Sequence, residues 1–222
     1  MQVPAGMPVA PVIVYLHGFA SSPQSTKVRY FSDRLQEHGV PLVCPDLNAP
    51  SFRTLTITRM LEQLQERVAS VSDVTLIGSS LGGTLAILAA AHWPARVARV
   101  VLLAPAVMFA KPGHHLLPPE RIEEWRRRGS LPFFHYAGNE ERELDYAFYE
   151  DSLGYDAFHS VVPQPTLVFQ GLRDASVDYR TVEQFANTRP NVTLSLLDDD
   201  HQLIASLPRM WNDIQPFLGI GE

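Results

Sequence analysis

The 222-residue chain has a single cysteine, Cys44, so no intrachain disulfide can form, and a reducing setting such as the cytoplasm is expected. Positive charge is scarce: 18 Lys and Arg face 24 Asp and Glu, a formal charge of −6. A nucleic-acid partner, which requires a basic stripe, is therefore not expected. The one basic cluster, Arg126, Arg127 and Arg128, has Glu120, Glu123 and Glu124 beside it and reads as a solvated helix face. Long apolar runs are missing too. None approaches the roughly 20 residues that cross a bilayer, so no membrane partner is expected either. Residues 1–11 hold no Lys or Arg and do not read as a secretory signal. There is no internal repeat and no low-complexity tract. The length fits one domain over 1–222, and nothing in it fixes an oligomeric state.

What is present is an alternation of two periodicities. Short β-rich apolar runs at 12–16, 40–45, 74–77, 97–103, 164–170 and 192–197 read as buried strands. Between them come stretches with helical spacing. Val28, Phe31 and Leu35 share one face over 26–38, and Leu55, Leu61, Leu64, Val68 and Val71 another. Further helices are expected after Ser80, over 178–186, and at the C-terminal end through Leu203, Ile204, Leu207, Trp211, Ile214 and Phe217. This order predicts an α/β fold with a doubly wound, mostly parallel sheet of about six strands. Functional groups on such a sheet collect at the carboxyl ends of its strands. Cys44, inside one of those strands, reads as core.

The pattern breaks over 106–162. This segment holds ten of the chain's 21 aromatic residues, and so many rings on an insertion must be buried somewhere. A helical cap over the strand ends, walling an apolar pocket, is the expectation. The candidate lining residues are Phe109, Trp125, Phe133, Phe134 and Tyr136. His114 and His115 have no third ligand at a usual spacing, so no metal site is expected.

The run Gly78-Ser79-Ser80-Leu81-Gly82 joins a strand directly to a helix. Such a turn strains its middle residue and brings the positions two before and two after into close approach, so both must be glycine. Only Ser80 has glycine at both −2 and +2. A serine hydroxyl is a poor nucleophile without a general base, and the base needs a group to fix its tautomer. Asp174 follows the next-to-last strand and His201 follows the last, which gives the order Ser, Asp, His. Asp178 is the alternative acid, although its place at a helix start suits a capping role. The run 198–200 reads as a surface turn whose negative field favours a protonated His201. His17-Gly18-Phe19 ends the first strand as an oxyanion loop would, with His17 holding the loop in place.

These features together resemble the α/β-hydrolase superfamily. Within it, the stretches at 15–27, 45–48, 55–60 and 77–83 resemble the small bacterial YqiA-type esterases. The resemblance implies a serine esterase acting on short acyl esters. It implies Ser80 as nucleophile, His201 as base, Asp174 as orienting acid, and the amides of Phe19 and Leu81 as oxyanion donors. No cofactor is implied, and the partner is a small-molecule ester. The cap's aromatics point to short- to medium-chain acyl groups. A thioesterase would use the same triad, and a non-catalytic ligand-binding relative would be expected to lack one of its members.

Overall fold

The computed structural model describes residues 12–111, 113–114 and 117–220. Its centre is a six-stranded parallel sheet in the order β2-β1-β3-β4-β7-β8. The strands are β1 (Ile13–Leu16), β2 (Leu42–Val43), β3 (Val74–Ser79), β4 (Val97–Leu103), β7 (Thr166–Gly171) and β8 (Val192–Leu197). The helices between them are α1 (Thr26–Gln36), α2 (Ile57–Val68), α3 (Leu81–His92) and α6 (Tyr179–Asn187), and α7 (Leu207–Phe217) closes the chain. Side chains alternate across the sheet. Val14 and Leu16 of β1 enter the core beneath α2, α3 and α6, whereas Ile13 and Tyr15 enter the core beneath α1 and α7. Helix α3 sits against the sheet centre and is buried along nearly its whole length, as an apolar, Ala-rich sequence allows.

Several elements are shorter than the sequence suggests, for identifiable reasons. β2 keeps only two residues because Pro41 and Pro45 flank it and have no N–H to offer a ladder. α1 is capped by the Ser25 hydroxyl, which accepts from the Val28 amide at 3.4 Å, and it is followed by Gly39 at φ 71°. α7 starts only at Leu207, leaving Leu203 and Ile204 in the loop before it. No helix among the described residues is long and apolar enough to cross a membrane.

Between β4 and β7 the chain forms α4 (Pro119–Arg128), β5 (Ser130–His135), β6 (Glu140–Asp145) and α5 (Ala147–Leu153). The expected helical cap is therefore corrected to a mixed one, because β5 and β6 pair antiparallel as a hairpin. One buried cross-strand pair anchors it to the insertion's core. The cross-strand partners Leu131 and Leu144 are both buried, while the charged Glu140, Glu141 and Arg142 are exposed and Glu143 is half-buried. Trp125 is corrected as well. It is the centre of the insertion's own core, with its indole N–H donating to the Leu144 carbonyl at 2.8 Å and its ring 4.9 Å from that of Phe133. Phe134 lies on the outer side of the hairpin, 46% exposed, against Tyr136. Three of the hydrogen bonds that pin the insertion to the main body come from backbone amides. The Tyr136 amide donates to Ala20 O at 3.0 Å, the Asp145 amide to Arg53 O at 2.8 Å, and the Thr58 amide to the Asp151 carboxylate at 2.9 Å.

The packing around Trp125 yields a direct expectation. Trp125→Ala should destabilise the protein by about 3–5 kcal/mol in urea titration, as large ring deletions from cores do. Phe134→Ala should stay within about 0.5 kcal/mol of the parent. Equal costs for the two would contradict this division of the insertion into core and surface.

Candidate active site

The turn from β3 into α3 is set by steric contact. A Cβ on Gly78 would lie 2.3 Å from Gly82 O, and one on Gly82 would lie 1.9 Å from Leu16 O, so neither position admits a side chain. Gly83 is equally constrained, by Pro105 at 2.7 Å, a contact that the motif alone does not reveal. Ser80 pays for this turn with φ 54° and ψ −115°, a conformation that a residue bearing a Cβ rarely adopts. Its amide donates to Leu103 O at 3.0 Å and its carbonyl accepts from the Ala106 amide at 3.1 Å, so the end of β4 and the segment after it hold the turn from both sides.

The structure brings Ser80, Asp174 and His201 together at the carboxyl ends of β3, β7 and β8. His201 Nε2 is 3.1 Å from Ser80 Oγ, and His201 Nδ1 is 2.8 Å from Asp174 Oδ2. The Asp174 side chain is fully buried, whereas His201 keeps 19% of its side chain exposed. Asp174 accepts three further hydrogen bonds: from the Ser176 and Val177 amides at 2.8 Å on Oδ1, and from Gln170 Nε2 at 2.9 Å on Oδ2. Burial alone would raise the Asp174 pKa. The hydrogen bonds from His201, the Val177 amide and Gln170 outweigh it and hold the carboxyl below the usual aspartate range. An ionised Asp174 accepts from Nδ1–H, which leaves the Nε2 lone pair of a neutral imidazole facing the Ser80 hydroxyl.

The other sequence candidates fall elsewhere. Asp178 Oδ1 accepts from the Arg180 amide at 3.0 Å and caps α6. The expected surface turn at 198–200 is corrected at its middle residue. Asp199 is buried and its two oxygens accept from the Asp200 and Ser206 amides, which braces the loop that carries His201. His17 is buried, with Nδ1 donating to Gly18 O at 3.0 Å and Nε2 accepting from the Leu47 amide at 3.0 Å. Both nitrogens are spent on the backbone, so this ring cannot serve as a base. Burial, with a smaller contribution from Asp46, pushes the Cys44 thiol up to about 12, which makes it a poor nucleophile. The amides of Phe19 and Leu81 donate to no acceptor among the described residues.

A cleft of about 1560 Å³ opens over Ser80. Phe19, Leu81, Met108, Phe109, Leu117 and Phe133 form an apolar wall, and Tyr136 stands at the rim, 70% exposed. Trp125 and Phe134 do not line it. The aliphatic liners Met108, Leu117 and Val177 escape sequence reading, because single aliphatic side chains in loops carry no periodic signal. A smaller hollow of about 470 Å³ contains none of Ser80, Asp174 and His201, and both of its arginines are already paired, Arg53 with Asp145 and Arg142 with Glu140. Among the described residues no group of three or more His, Cys, Asp or Glu is arranged to hold a metal. His114 is exposed, and His115 lies outside the described residues.

The chain is similar in structure to a protein from Agrobacterium vitis S4, with a TM-score of 0.81 and 26% identity over 94% of this chain and 88% of that one. It is similar also to Est1E from Butyrivibrio proteoclasticus in its ferulic acid complex, with a TM-score of 0.80 and 21% identity over 94% and 88%. A third is the mouse alpha/beta hydrolase domain-containing protein 10, with a TM-score of 0.76 and 20% identity over 95% and 90%. These likenesses extend over nearly the whole chain and make the fold that of the α/β hydrolases. No curated protein matches the chain significantly. The chain matches the uncharacterised protein family UPF0227 over residues 12–218 and belongs to that family.

Proposed function

We propose that the protein is a serine esterase that hydrolyses short- to medium-chain carboxylic esters through an acyl-enzyme on Ser80. The observation that carries this reading is the continuous chain from Ser80 Oγ through His201 to the buried Asp174, at 3.1 and 2.8 Å. In the first half-reaction Ser80 Oγ attacks the acyl carbon and its proton passes to His201 Nε2. The carbonyl π electrons move onto oxygen, and the free amides of Phe19 and Leu81 receive the resulting oxyanion. Donors of this type are worth about 2.7–4 kcal/mol each. The imidazolium, stabilised by Asp174, gives its proton to the departing alkoxide. Water then adds to the acyl-enzyme with the roles reversed and regenerates Ser80. The apolar wall suits an acyl chain, and the similar structures include a monoacylglycerol lipase from Paleococcus ferrophilus. The single cysteine fits a cytoplasmic setting.

Ser80→Ala should melt close to the parent yet lose p-nitrophenyl butyrate hydrolysis by roughly 10³-fold or more, as triad removals do. Labelling by a fluorophosphonate probe should disappear with it. A variant that keeps most of its turnover would refute Ser80 as nucleophile. Across p-nitrophenyl esters from acetate to palmitate, kcat/KM should peak between butyrate and octanoate, and a maximum at palmitate would overturn the chain-length assignment.

Asp174 links the site to stability. Its folded pKa is lowered, so the folded chain releases this proton more readily than the unfolded chain does. The contribution is complete above the ordinary aspartate value of about 3.9 and fades as pH falls through the lower folded value. Urea titrations of the parent and Asp174→Asn should therefore converge between pH 5 and pH 2, by the part of the difference that this proton carries. Parallel curves across that window would show that the carboxylate is not held as described.

A further inference from the structure

Lys27 and Lys111 are the only lysines in a chain with 18 basic residues. Lys27 occupies an unfavourable position. It is only 8% exposed, and it sits in the first turn of α1, where the helix dipole is positive and repels a cation. No part of the proposed reaction uses it. Its Nζ reaches across the cleft floor and donates to the carbonyl of Gln202, 175 positions away, at 2.9 Å. Gln202 directly follows His201. Its amide is held as well, by Asp200 Oδ1 at 2.8 Å, so the peptide groups on both sides of this residue are fixed. The next residue, Leu203, has φ 54°, a left-handed geometry that a leucine does not adopt without support.

We propose that Lys27 is a positioning residue, whose ammonium locks the Gln202 carbonyl and thereby keeps the His201 ring aligned between Ser80 and Asp174. The proposal rests on the esterase reading only in giving His201 the proton-transfer role. The charges around Lys27 are consistent with a held cation. Asp174 after β7 and Asp199 and Asp200 after β8 lie close enough to stabilise it. His201, Tyr15, Asp178 at the start of α6 and Arg29 on α1 line the same cleft. Burial is still the dominant influence, and it pushes the Lys27 pKa down to about 8 against the pull of the three aspartates. The ammonium therefore gives up its charge in mildly alkaline solution, and the charge-assisted bond to Gln202 weakens with it.

Two consequences run in opposite directions and separate positioning from simple stabilisation. Between about pH 8 and the ordinary lysine value of about 10.4, the unfolded chain holds a proton that the folded chain has shed, so stability rises with pH. Over the same range kcat should fall, because the imidazole loses its brace. The experiment compares the parent with Lys27→Met and Lys27→Arg. Each protein is assayed for kcat and KM on p-nitrophenyl butyrate from pH 6 to 10, for its urea midpoint, and for the downfield proton NMR signal of His201 Nδ1–H. Lys27→Met should lower kcat roughly tenfold at pH 7, equivalent to about 1.4 kcal/mol of barrier, with KM within about twofold and no alkaline decline. Lys27→Arg should restore most of that loss and move the decline beyond pH 10, since a guanidinium does not deprotonate there. It also supplies the answer if the methionine variant fails to fold. The Nδ1 proton signal should broaden or vanish in Lys27→Met and persist in Ser80→Ala. If the parent hydrolyses no ester, the esterase reading fails and the NMR signal alone decides the role of Lys27. A sharp, unshifted Nδ1 signal in Lys27→Met overturns the proposal, as does an alkaline decline of kcat that Lys27→Arg leaves in place.

Discussion

The architecture turns on one close approach, the contact between the backbone of Gly82 and the carbonyl of Leu16. At this point the start of α3 is pressed onto the end of β1 with no room for a side chain. That contact fixes the angle at which the chain leaves β3, and the angle forces Ser80 out of the ordinary backbone regions. The serine is thus raised above the sheet edge by packing rather than by any interaction of its own hydroxyl. It also places the amide of Leu81 at the start of a buried helix, where it has no intrahelical partner. The same few atoms therefore set the position of Ser80 and of one of the two free amides beside it.

Around this fixed point the site is assembled from parts with different constraints. β7 and β8 deliver Asp174 and His201 through loops, and those loops are held by polar side chains. Asp174 collects four hydrogen bonds, Asp199 braces the histidine loop, and Gln170 buttresses the carboxylate from within the strand. The insertion contributes hydrophobic surface. Its centre, Trp125, packs inward on its own helices and hairpin, while Met108, Phe109, Leu117 and Phe133 reach the cleft as its wall. Polar geometry thus aligns Ser80, Asp174 and His201, while apolar packing shapes the space above them.

The strand and helix alternation was readable because a buried parallel strand and an amphipathic helix leave different periods in the sequence. Ser80 could be singled out because two glycines at fixed distances have a steric meaning. The roles of Asp178 and His17 could be anticipated from position alone, as a helix start and a loop base. Other features left no such trace. The hairpin at 130–145 has one charged strand and one aromatic strand, which hides its pairing. Trp125 and Phe134 are both aromatic, and nothing in composition says which one a tertiary contact will cover. Asp199 sits between two other aspartates, and only the fold shows that its neighbours face water while it turns inward. Lys27 acts through a residue 175 positions away and Gln170 through the loop that follows its own strand, and neither belongs to a recognisable pattern.

The hydrogen bond from the Tyr136 amide to Ala20 O joins the hairpin of the insertion to the residue just after Phe19. Ala20 itself has φ 54°, so this stretch has little slack. The hairpin cannot swing outward without either breaking that bond or dragging the peptide that presents the Phe19 amide. Widening the cleft and keeping the Phe19 amide in place are therefore mechanically opposed: lifting the hairpin displaces the backbone beside Ser80.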